Sequence, residues 1–270
     1  ANRVMGALGS VAASRLARDL GAGGPSHTVS NDDMGGFRAL EQAVNSLREG
    51  NSETAVVAAA DFGLDIISRV SDSREGQPQR SDAAVALILR RLEDAIADGQ
   101  KVYGVIEGTG CAAADSFVSG SRTLPAERAT QLAMRHNTRP DIVLSSRDHP
   151  INLSRVTRIP GLRVVSLPLA LEHCGCVTPL ISVLQGLEMF ESSVLPSNSP
   201  ERPAIPWLGA LTEKASMRID FKGQLGDHGS VLLRMGVSEK SETKPESENR
   251  PHEITNNGEF PLGMILSEGP

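Results

Sequence analysis

The chain has 270 residues, 39% of them hydrophobic, and 27 lysines and arginines against 33 aspartates and glutamates, which gives a net charge of -6. This size and composition are typical of a globular protein with a substantial core and exclude a mini-protein. The acidic balance, without a basic run, argues against nucleic acid as a partner. Because no apolar stretch is long enough to span a bilayer and the first ten residues do not resemble a signal peptide, we expect a cytoplasmic protein.

The first third of the chain alternates predicted helices and strands. Small and apolar residues at helical spacing predict a helix over 2–20, and a short strand is predicted over 26–30. The polar turn 31–33 leads into a helix that ends near Gly50, with one apolar face formed by Phe37, Leu40, Val44 and Leu47. The continuous apolar run 54–60 then predicts a strand that is buried on both faces.

The pattern continues through the rest of the chain. A loop is predicted over 71–80, a buried strand over 83–89, and a short charged helix over 92–98. The remaining predicted elements are a strand at 103–108, a helix at 126–136, strands at 141–145 and 163–167, a helix at 177–190, and two antiparallel strands at 215–222 and 230–235. This alternation indicates an α/β fold with a largely internal sheet.

The composition changes abruptly after Gly236. Residues 237–260 are polar and charged, so they carry too little apolar surface to offset the entropy of ordering. We therefore expect residues 237–270 to be a disordered tail or linker. The slightly apolar stretch 261–270 either docks on the fold or leads into another domain.

The three cysteines, Cys111, Cys174 and Cys176, are sparse and odd in number, which favours free thiols over a disulfide framework. The motif formed by His173, Cys174, Gly175 and Cys176 raises the possibility of a metal site. A structural zinc site normally has four ligands in two separated pairs, and the sequence offers no second pair at suitable spacing. We expect neither a metal nor a cofactor.

Four segments resemble the β-ketoacyl synthases of fatty acid and polyketide assembly, and in particular their chain-length-factor partners. They are GPSHTVSNDDMGGFRALEQAVNSLREGNSETAVVAAAD, SDAAVALILRRLEDAIADGQKVYGVIEGTG, LEHCGCVTPLISVLQGLEMFESSVLPSN and FKGQLGDHGSVLLRM. The resemblance runs from about residue 2 to 235. It implies a thiolase-like layered fold (helix-sheet-helix-sheet-helix), truncated at its N-terminus, with the end of the first half at 1–100 and the second half at 101–236.

The resemblance also locates the positions of ketosynthase chemistry. Those enzymes use a cysteine thiolate at a helix N-terminus, two histidines and a lysine. Here the cysteine position is Asp33 and the lysine position is Pro168, while the second histidine is retained as His173. The first histidine falls on Ser146, although an alignment that uses His149 stays open. A carboxylate is a poor acyl acceptor, so the resemblance implies that the nucleophile has been lost.

Simpler interpretations exist for the same residues. Paired acids such as Asp32 and Asp33 at a helix start serve as caps and interact favourably with the helix dipole. A lone histidine such as His173 is more often a packed, hydrogen-bonded residue than a catalytic one. For His27 and His228 we expect a surface or capping role.

The resemblance further suggests residues that would line an acyl pocket and residues that would form an interface. The pocket candidates are Met34, Gly35, Gly36, Gly223, Gln224 and Gly226. Gly223 and Gly226 are equally well explained as ordinary hairpin glycines. In the family, the strand before the nucleophile meets its mate across a two-fold axis. The interface candidates are therefore Val4, Leu8, Val11, His27 and Val29.

Three functions are compatible with the sequence. The leading hypothesis is a non-catalytic, chain-length-factor-like subunit or domain that pairs with an active ketosynthase and helps shape the site for an acyl chain on acyl carrier protein. The second is a decarboxylating ketosynthase relative that makes acyl starter units, although Ser146 and Pro168 count against it. The third is a structural docking domain of a multidomain synthase. The expected assembly is a heterodimer, with a homodimer as the alternative.

Overall fold

Helices and strands alternate along the chain in a computed structural model that describes residues 9–76, 80–113, 125–134, 139–145, 162–166, 173–196, 203–211, 215–223, 226–236 and 262–265. The helices are α1 (Ser10–Asp19), α2 (Gly35–Arg48), α3 (Ile66–Glu75), α4 (Leu92–Ala97), α5 (Pro125–Ala133) and α6 (Thr178–Ser192). The strands are β1 (Thr54–Phe62), β2 (Asp82–Arg91), β3 (Gly104–Ala112), β4 (Ile142–Ser145), β5 (Arg163–Ser166), β6 (Val194–Leu195), β7 (Ile205–Pro206), β8 (Ser216–Lys222), β9 (His228–Met235) and β10 (Leu262–Ile265). Short 3₁₀ turns occupy Asp32–Met34, Gly175–Val177 and Leu208–Leu211.

Eight of the strands form one mixed sheet in the order β1-β2-β10-β3-β9-β8-β4-β5. Strand β4 runs parallel to both β5 and β8, and the other neighbouring strands are antiparallel. The predicted antiparallel hairpin near the end of the chain is β8 and β9. A separate small pair consists of β6 and β7. The predicted α/β class is confirmed.

The core lies between the sheet and the helices α2 and α6. The apolar residues of α2 recur every three or four positions, so they share one face, and all four are fully buried: Phe37, Leu40, Val44 and Leu47. Helix α6 packs beside α2 and contributes residues such as Leu180, Val183 and Leu187 to the same cluster. Helices α2 and α6 are therefore stabilised by burial of their apolar faces against the sheet.

The opposite face of β3 is covered by α5. A Cβ at Gly108 or Gly110 would collide with the backbone of Ala133 or Ala129. The two glycines of β3 thus allow the helix backbone to approach the strand closely. Helices cover both faces of this part of the sheet, as the layered fold class predicts.

The prediction of a strand over 26–30 is wrong. These residues form no ladder with another strand among the described residues. A strand is stabilised by hydrogen bonds to a neighbour, and the single chain places no strand beside this segment. Helix α1 covers the described part of the helix predicted over 2–20.

The prediction that β1 is buried on both faces is also wrong. The strand itself is present, but it lies at the edge of the sheet, and of its nine residues only Val57 is buried. Its side chains alternate between a face that packs against α2 and an outward face that contains Val56, Ala58 and Phe62. A continuous apolar run does not distinguish a central strand from an edge strand.

Helix α3 occupies part of the region predicted as a loop. It begins where the Asp65 side chain accepts hydrogen bonds from the backbone N–H groups of Ile67 and Ser68, at 2.8 and 3.1 Å, and it ends at Gly76, whose φ is +65°. These are standard helix start and stop signals. The segment is rich in serine, arginine and acids, which is typical of a loop. Its apolar residues lie near the beginning of the helix, so their spacing did not predict a helix over its full length.

The short strand β10 falls within the segment predicted as a tail or linker. It lies between β2 and β3 and is antiparallel to both, so it joins the strands of the two predicted halves into one sheet. Of the two possibilities for the apolar stretch 261–270, docking on the fold is the one found for these four residues. Over the described ranges, no helix combines the length and apolar character that crossing a membrane would require.

Candidate functional site

The position that the resemblance assigns to the nucleophile lies in the tight turn before α2. The chain turns at Asp32, whose φ is +38°, and Asp33 follows in a half-buried position. Met34, Gly35 and Gly36 are buried directly after it. The site is therefore an acidic turn set on the N-terminal end of a buried helix.

Asp33 does not behave as a simple helix-start carboxylate. Burial raises its pKa, and the charges of Asp32, Asp61 and Asp227 raise it further, while the nearby positive charge of Arg80 acts in the opposite direction. The sequence predicts a charged form stabilised by the helix dipole. The shift has the opposite sign, because loss of hydration and the surrounding carboxylates outweigh the favourable charges.

The segment with the retained histidine packs opposite this turn. His173 is half-buried, Cys174 is buried, and Gly175 turns the chain with a φ of +52°. The backbone N–H of Cys176 donates a 3.2 Å hydrogen bond to Oδ2 of Asp61, at the end of β1. A Cβ at Gly175 would collide with the same carboxylate, so only glycine fits there.

The predicted glycine pair joins the two segments. A Cβ at Gly36 would lie 2.5 Å from the carbonyl oxygen of Cys176, and one at Gly35 would touch the Cβ of Cys176 at 3.4 Å. The backbone carbonyl of His173 also accepts a 2.8 Å hydrogen bond from the N–H of Ser81. The structure thus brings the Asp33 turn and the His173 segment into contact, as the resemblance implies.

The β8–β9 hairpin closes a third side of the site. A Cβ at Gly223 would lie 2.8 Å from Cγ of Met34 and would collide with the Asp227 carboxylate. Gly226 has a φ of +84° and donates a 3.2 Å hydrogen bond to the carbonyl of Gly223, which supports the hairpin-glycine interpretation for Gly226. The acyl-pocket role of Met34, Gly35, Gly36 and Gly223 stays a prediction.

The thiol nearest to the acidic turn is held in its neutral form. Burial raises the pKa of Cys176 to about 11, and the charges of Asp61 and Asp33 act in the same direction. Burial also raises the pKa of Cys111 to about 11 and raises that of Cys174. Since the thiolate is the reactive species, all three cysteines are poor nucleophiles at neutral pH.

Among the described residues, no three histidine, cysteine or acidic side chains are arranged to hold a metal ion.

Two residues that contact or charge-stabilise this site, Asp61 and Arg80, were not predicted from the sequence. Asp61 anchors the loop at Cys176, and Arg80, whose charge acts on Asp33 and Asp61, forms a 3.1 Å ion pair with the buried Asp72. The only available sequence signal was an acid that ends the apolar run of β1. The contact between Asp61 and Cys176 joins residues 115 positions apart in the sequence, so no local pattern predicts it.

The other predicted residues are dispersed. His27 is exposed, as expected, and its ring is hydrogen-bonded to Gln42, whereas Val11 and Val29 are half-buried. His228 is buried, which contradicts the surface or capping role, because its strand lies inside the sheet. The predicted positions outside the described residues are Val4, Leu8, Ser146, His149, Pro168 and Gln224.

Sequence comparisons agree with the geometry. Residues 1–76 match the family model of the β-ketoacyl synthase N-terminal domain. Over 84% of its length, the chain is 26% identical to the highly reducing polyketide synthase curS1 of Aspergillus terreus, of which it covers 12%. It is 31% identical, over 45% of its length, to the highly reducing polyketide synthase ACRTS2 of Alternaria alternata, of which it covers 5%. The chain thus spans a small part of these relatives.

Solved ketosynthases share the fold. The ketosynthase from module 6 of the bacillaene synthase of Bacillus subtilis 168 superimposes with a TM-score of 0.72 at 18% identity, over 85% of this chain and 50% of that one. A complex of a type II polyketide synthase acyl-carrier protein with its ketosynthase gives a TM-score of 0.67 at 17% identity, over 84% and 67%. Together with the matched segments, these findings support a place for the chain in the thiolase-like β-ketoacyl synthase family, whose N-terminal domain model matches residues 1–76.

Proposed function

We propose that the chain is a non-catalytic, chain-length-factor-like subunit or domain of a polyketide or fatty acid synthase. The observation that carries this proposal is the half-buried acid at the start of α2. Asp33 lies at the nucleophile position of the family, and its pKa is raised rather than lowered. Whether it is protonated or charged, a carboxyl group at this position does not form the thioester on which condensation depends.

Among the residues that the structure describes, none around Asp33 offers a replacement for the thiolate. Cys176 packs against the glycine pair next to Asp33, which makes it the nearest candidate. Its pKa of about 11 leaves it as a thiol, because burial disfavours the thiolate and the charges of Asp61 and Asp33 oppose a second negative charge. The acidic surroundings would also repel the carboxylate of a malonyl group. This argues against the decarboxylating alternative as well as against condensation.

The close packing of three segments around Asp33 supports a role in shaping an acyl-binding site that is shared with a partner. The start of α2, the His173 loop and the hairpin are held together by close backbone approaches at Gly35, Gly36 and Gly223. A chain that had lost all function would have no need of this arrangement. We propose that it positions the surface that helps to guide an acyl chain. One structural relative is described as a ketosynthase with its acyl-carrier protein, so acyl carrier protein is the proposed second partner.

The proposed partner surface for an active ketosynthase is the segment before α2. It includes Val11, His27 and Val29, together with Val4 and Leu8 outside the described residues. Residues 26–30 form no ladder with a described strand, and we propose that their backbone pairs with a strand of another chain. A heterodimer is the expected form, with a homodimer as the alternative.

Reconstitution tests the proposal. The chain should be co-expressed with a candidate ketosynthase from the same gene cluster, purified by a tag on one of the two, and supplied with malonyl groups on acyl carrier protein. We expect co-purification, and we expect the product lengths to change when this chain is left out. Val29→Asp should weaken co-purification, because it places a charge in the proposed seam, while Asp19→Asn, an exposed change on α1, should not. Unchanged products without the chain would contradict the proposal.

A further inference from the structure

Helix α3 contains a buried acid, Asp72, of which only 6% is exposed. A buried carboxylate is costly unless an opposite charge and hydrogen bonds compensate it. Arg80 provides both. Its Nε donates to the two carboxylate oxygens of Asp72 at 3.2 and 3.3 Å, its Nη2 lies 3.1 Å from Oδ1, and its backbone N–H donates to Oδ2 at 3.4 Å. Asp72 therefore holds both the side chain and the backbone of Arg80.

The backbone at Arg80 also adjoins the candidate site. The next residue, Ser81, donates its N–H to the carbonyl of His173 at 2.8 Å. A Cβ at Gly63, directly after β1, would collide with the Cβ of Arg80, so the glycine permits the close approach of these two segments. Arg80 is thus placed between α3 on one side and the site on the other.

Three carboxylates interact with the charge of Arg80. Asp72 interacts with it most strongly, through hydrogen bonds and charge, and the charges of Asp61 and Asp33 follow. Within the described residues, the hydrogen bonds of the guanidinium go to Asp72 and not to the two acids of the site. An arginine that lost this partner would be attracted to the two remaining carboxylates.

We propose that Asp72 is a positioning residue for the candidate site: it holds Arg80 on α3 and thereby withholds this positive charge from Asp33 and Asp61. The site keeps an excess of negative charge as a result. The other titratable groups that act on Asp33 or are affected by it belong to the same turn, to the hairpin and to the His173 loop: Asp32, Asp227 and Cys176. The inference concerns the charge of the site and goes beyond the proposed function, because it involves neither an acyl chain nor a partner.

Asp72→Asn tests this role, because asparagine keeps the size of the side chain and removes the charge that holds Arg80. The released guanidinium should move toward the acids of the site. We expect the pKa of Asp33 to fall by roughly half a unit or more, since an opposite charge favours the ionised carboxylate. Carbon-13 NMR of protein labelled at aspartate measures this titration, and Asp33→Asn assigns the signal.

Alkylation by iodoacetamide at pH 8 provides a second measurement. The charges of Asp61 and Asp33 oppose ionisation of the Cys176 thiol, so Arg80 placed beside them should increase the alkylation rate of Cys176 roughly twofold or more. Cys111 is the internal reference, because neither acid is among the causes of its raised pKa.

The double variant Asp72→Asn with Arg80→Gln separates release of the arginine from loss of the ion pair. It removes both charges, so it leaves no buried charge without a partner. Because the positive charge is now absent, the pKa of Asp33 should rise above its wild-type value, and alkylation of Cys176 should slow. A purely structural role of the pair would shift the single and the double variant in the same direction.

The control is Asp98→Asn, which removes an exposed acid from the 2.6 Å ion pair with Arg90 and should change neither measurement. The proposal is overturned if the pKa of Asp33 is unchanged or raised in Asp72→Asn while circular dichroism matches the wild type. It is also overturned if the single and double variants give equal shifts. Since the measurements use no acyl group and no ketosynthase, these results would leave the proposed function untouched.

Discussion

The acidic environment of Cys176 is the residue-scale feature that separates this site from a working thiol site. Asp61 accepts the hydrogen bond of the Cys176 backbone and, together with burial and Asp33, raises the pKa of its thiol to about 11. At pH 8 this leaves only about one thiol in a thousand as thiolate. Chemical reactivity at this position therefore depends on burial and on the charges of Asp61 and Asp33.

We expect Asp61→Asn to increase the alkylation rate of Cys176 by iodoacetamide several-fold at pH 8. Asparagine removes the negative charge, while its side-chain oxygen can still accept the backbone hydrogen bond. Peptide mass spectrometry over time measures the rate for each cysteine. Cys111 is the internal control, because burial raises its pKa to about 11 as well but Asp61 is not among the causes. Equal acceleration at both cysteines would indicate general loosening of the fold instead.

A second residue-scale prediction concerns His228. Burial lowers its pKa from the ordinary value of 6.5, and the nearby charge of Lys222 acts in the same direction. The unfolded chain therefore takes up a proton before the folded chain does, and stability is lost as the pH falls below 6.5. His228→Gln should remove part of this dependence. Urea unfolding at pH 7 and pH 5 measures it.

The matched control for His228→Gln is His27→Gln, because His27 is exposed. It should leave the difference in unfolding free energy between pH 7 and pH 5 as in the wild type. A His228→Gln variant that loses as much stability as the wild type over the same pH range would show that other groups cause the dependence.

At the scale of single elements, β8 is held by a buried ionic network. Arg218 donates to both carboxylate oxygens of Asp220 at 2.8 to 3.0 Å, and the Ser230 hydroxyl on β9 donates to the same carboxylate at 2.8 Å. Arg218 and Asp220 are both buried. Every charge in the group has a partner, so the network fixes the register of β8 against β9.

Removing one partner of this network should be costly. Asp220→Leu leaves the Arg218 charge buried without its carboxylate, and we expect a loss of about 3–5 kcal/mol in the free energy of unfolding. The double variant Arg218→Met with Asp220→Leu should lose less, since it removes both charges. Urea denaturation of the single and double variants measures the difference. A double variant less stable than the single one would contradict this account.

The helices and strands were predictable to different degrees. The apolar spacing of Phe37, Leu40, Val44 and Leu47 predicted α2 correctly, because burial of one face determines that helix. The helical character of 66–75 was missed, since α3 is stabilised by its Asp65 cap and not by a buried apolar face. The exposure of β1 was missed because an apolar run does not reveal the position of a strand in its sheet.

The segments that form the site could be predicted from the sequence, but the contacts between these segments could not. The structure places the Asp33 turn and the His173 loop in contact, and both segments carry positions that the resemblance assigned to one site. The resemblance did not reveal that Asp61 joins them or that Cys176 packs against the glycine pair, because these contacts span more than 100 residues. The burial that raises the pKa of Asp33 was not predicted, since burial can be judged only in the folded chain.

At the scale of the whole molecule, the fold and the residues of the candidate site favour different functions. The fold aligns with a solved ketosynthase over 85% of the chain, while the position that the resemblance assigns to the nucleophile is the acid Asp33, and burial raises the pKa of the nearby Cys176 thiol to about 11. The chain covers only 12% of curS1 and about half of the solved ketosynthase from Bacillus subtilis 168. Because the chain covers only part of these proteins, we propose its partners and do not infer them from the comparisons. The absence of acyl-enzyme chemistry is the claim that can be tested on the chain alone.

Intact-protein mass spectrometry tests this central claim most directly. The chain is incubated with acyl-CoA and with acyl groups on acyl carrier protein, beside an active ketosynthase that shows the acyl donors to be competent. Our account predicts an unchanged mass for this chain while the ketosynthase gains an acyl group, because Asp33 does not form a stable acyl adduct and the cysteines are protonated. A stoichiometric acyl adduct on Cys111, Cys174 or Cys176 that turns over would contradict it.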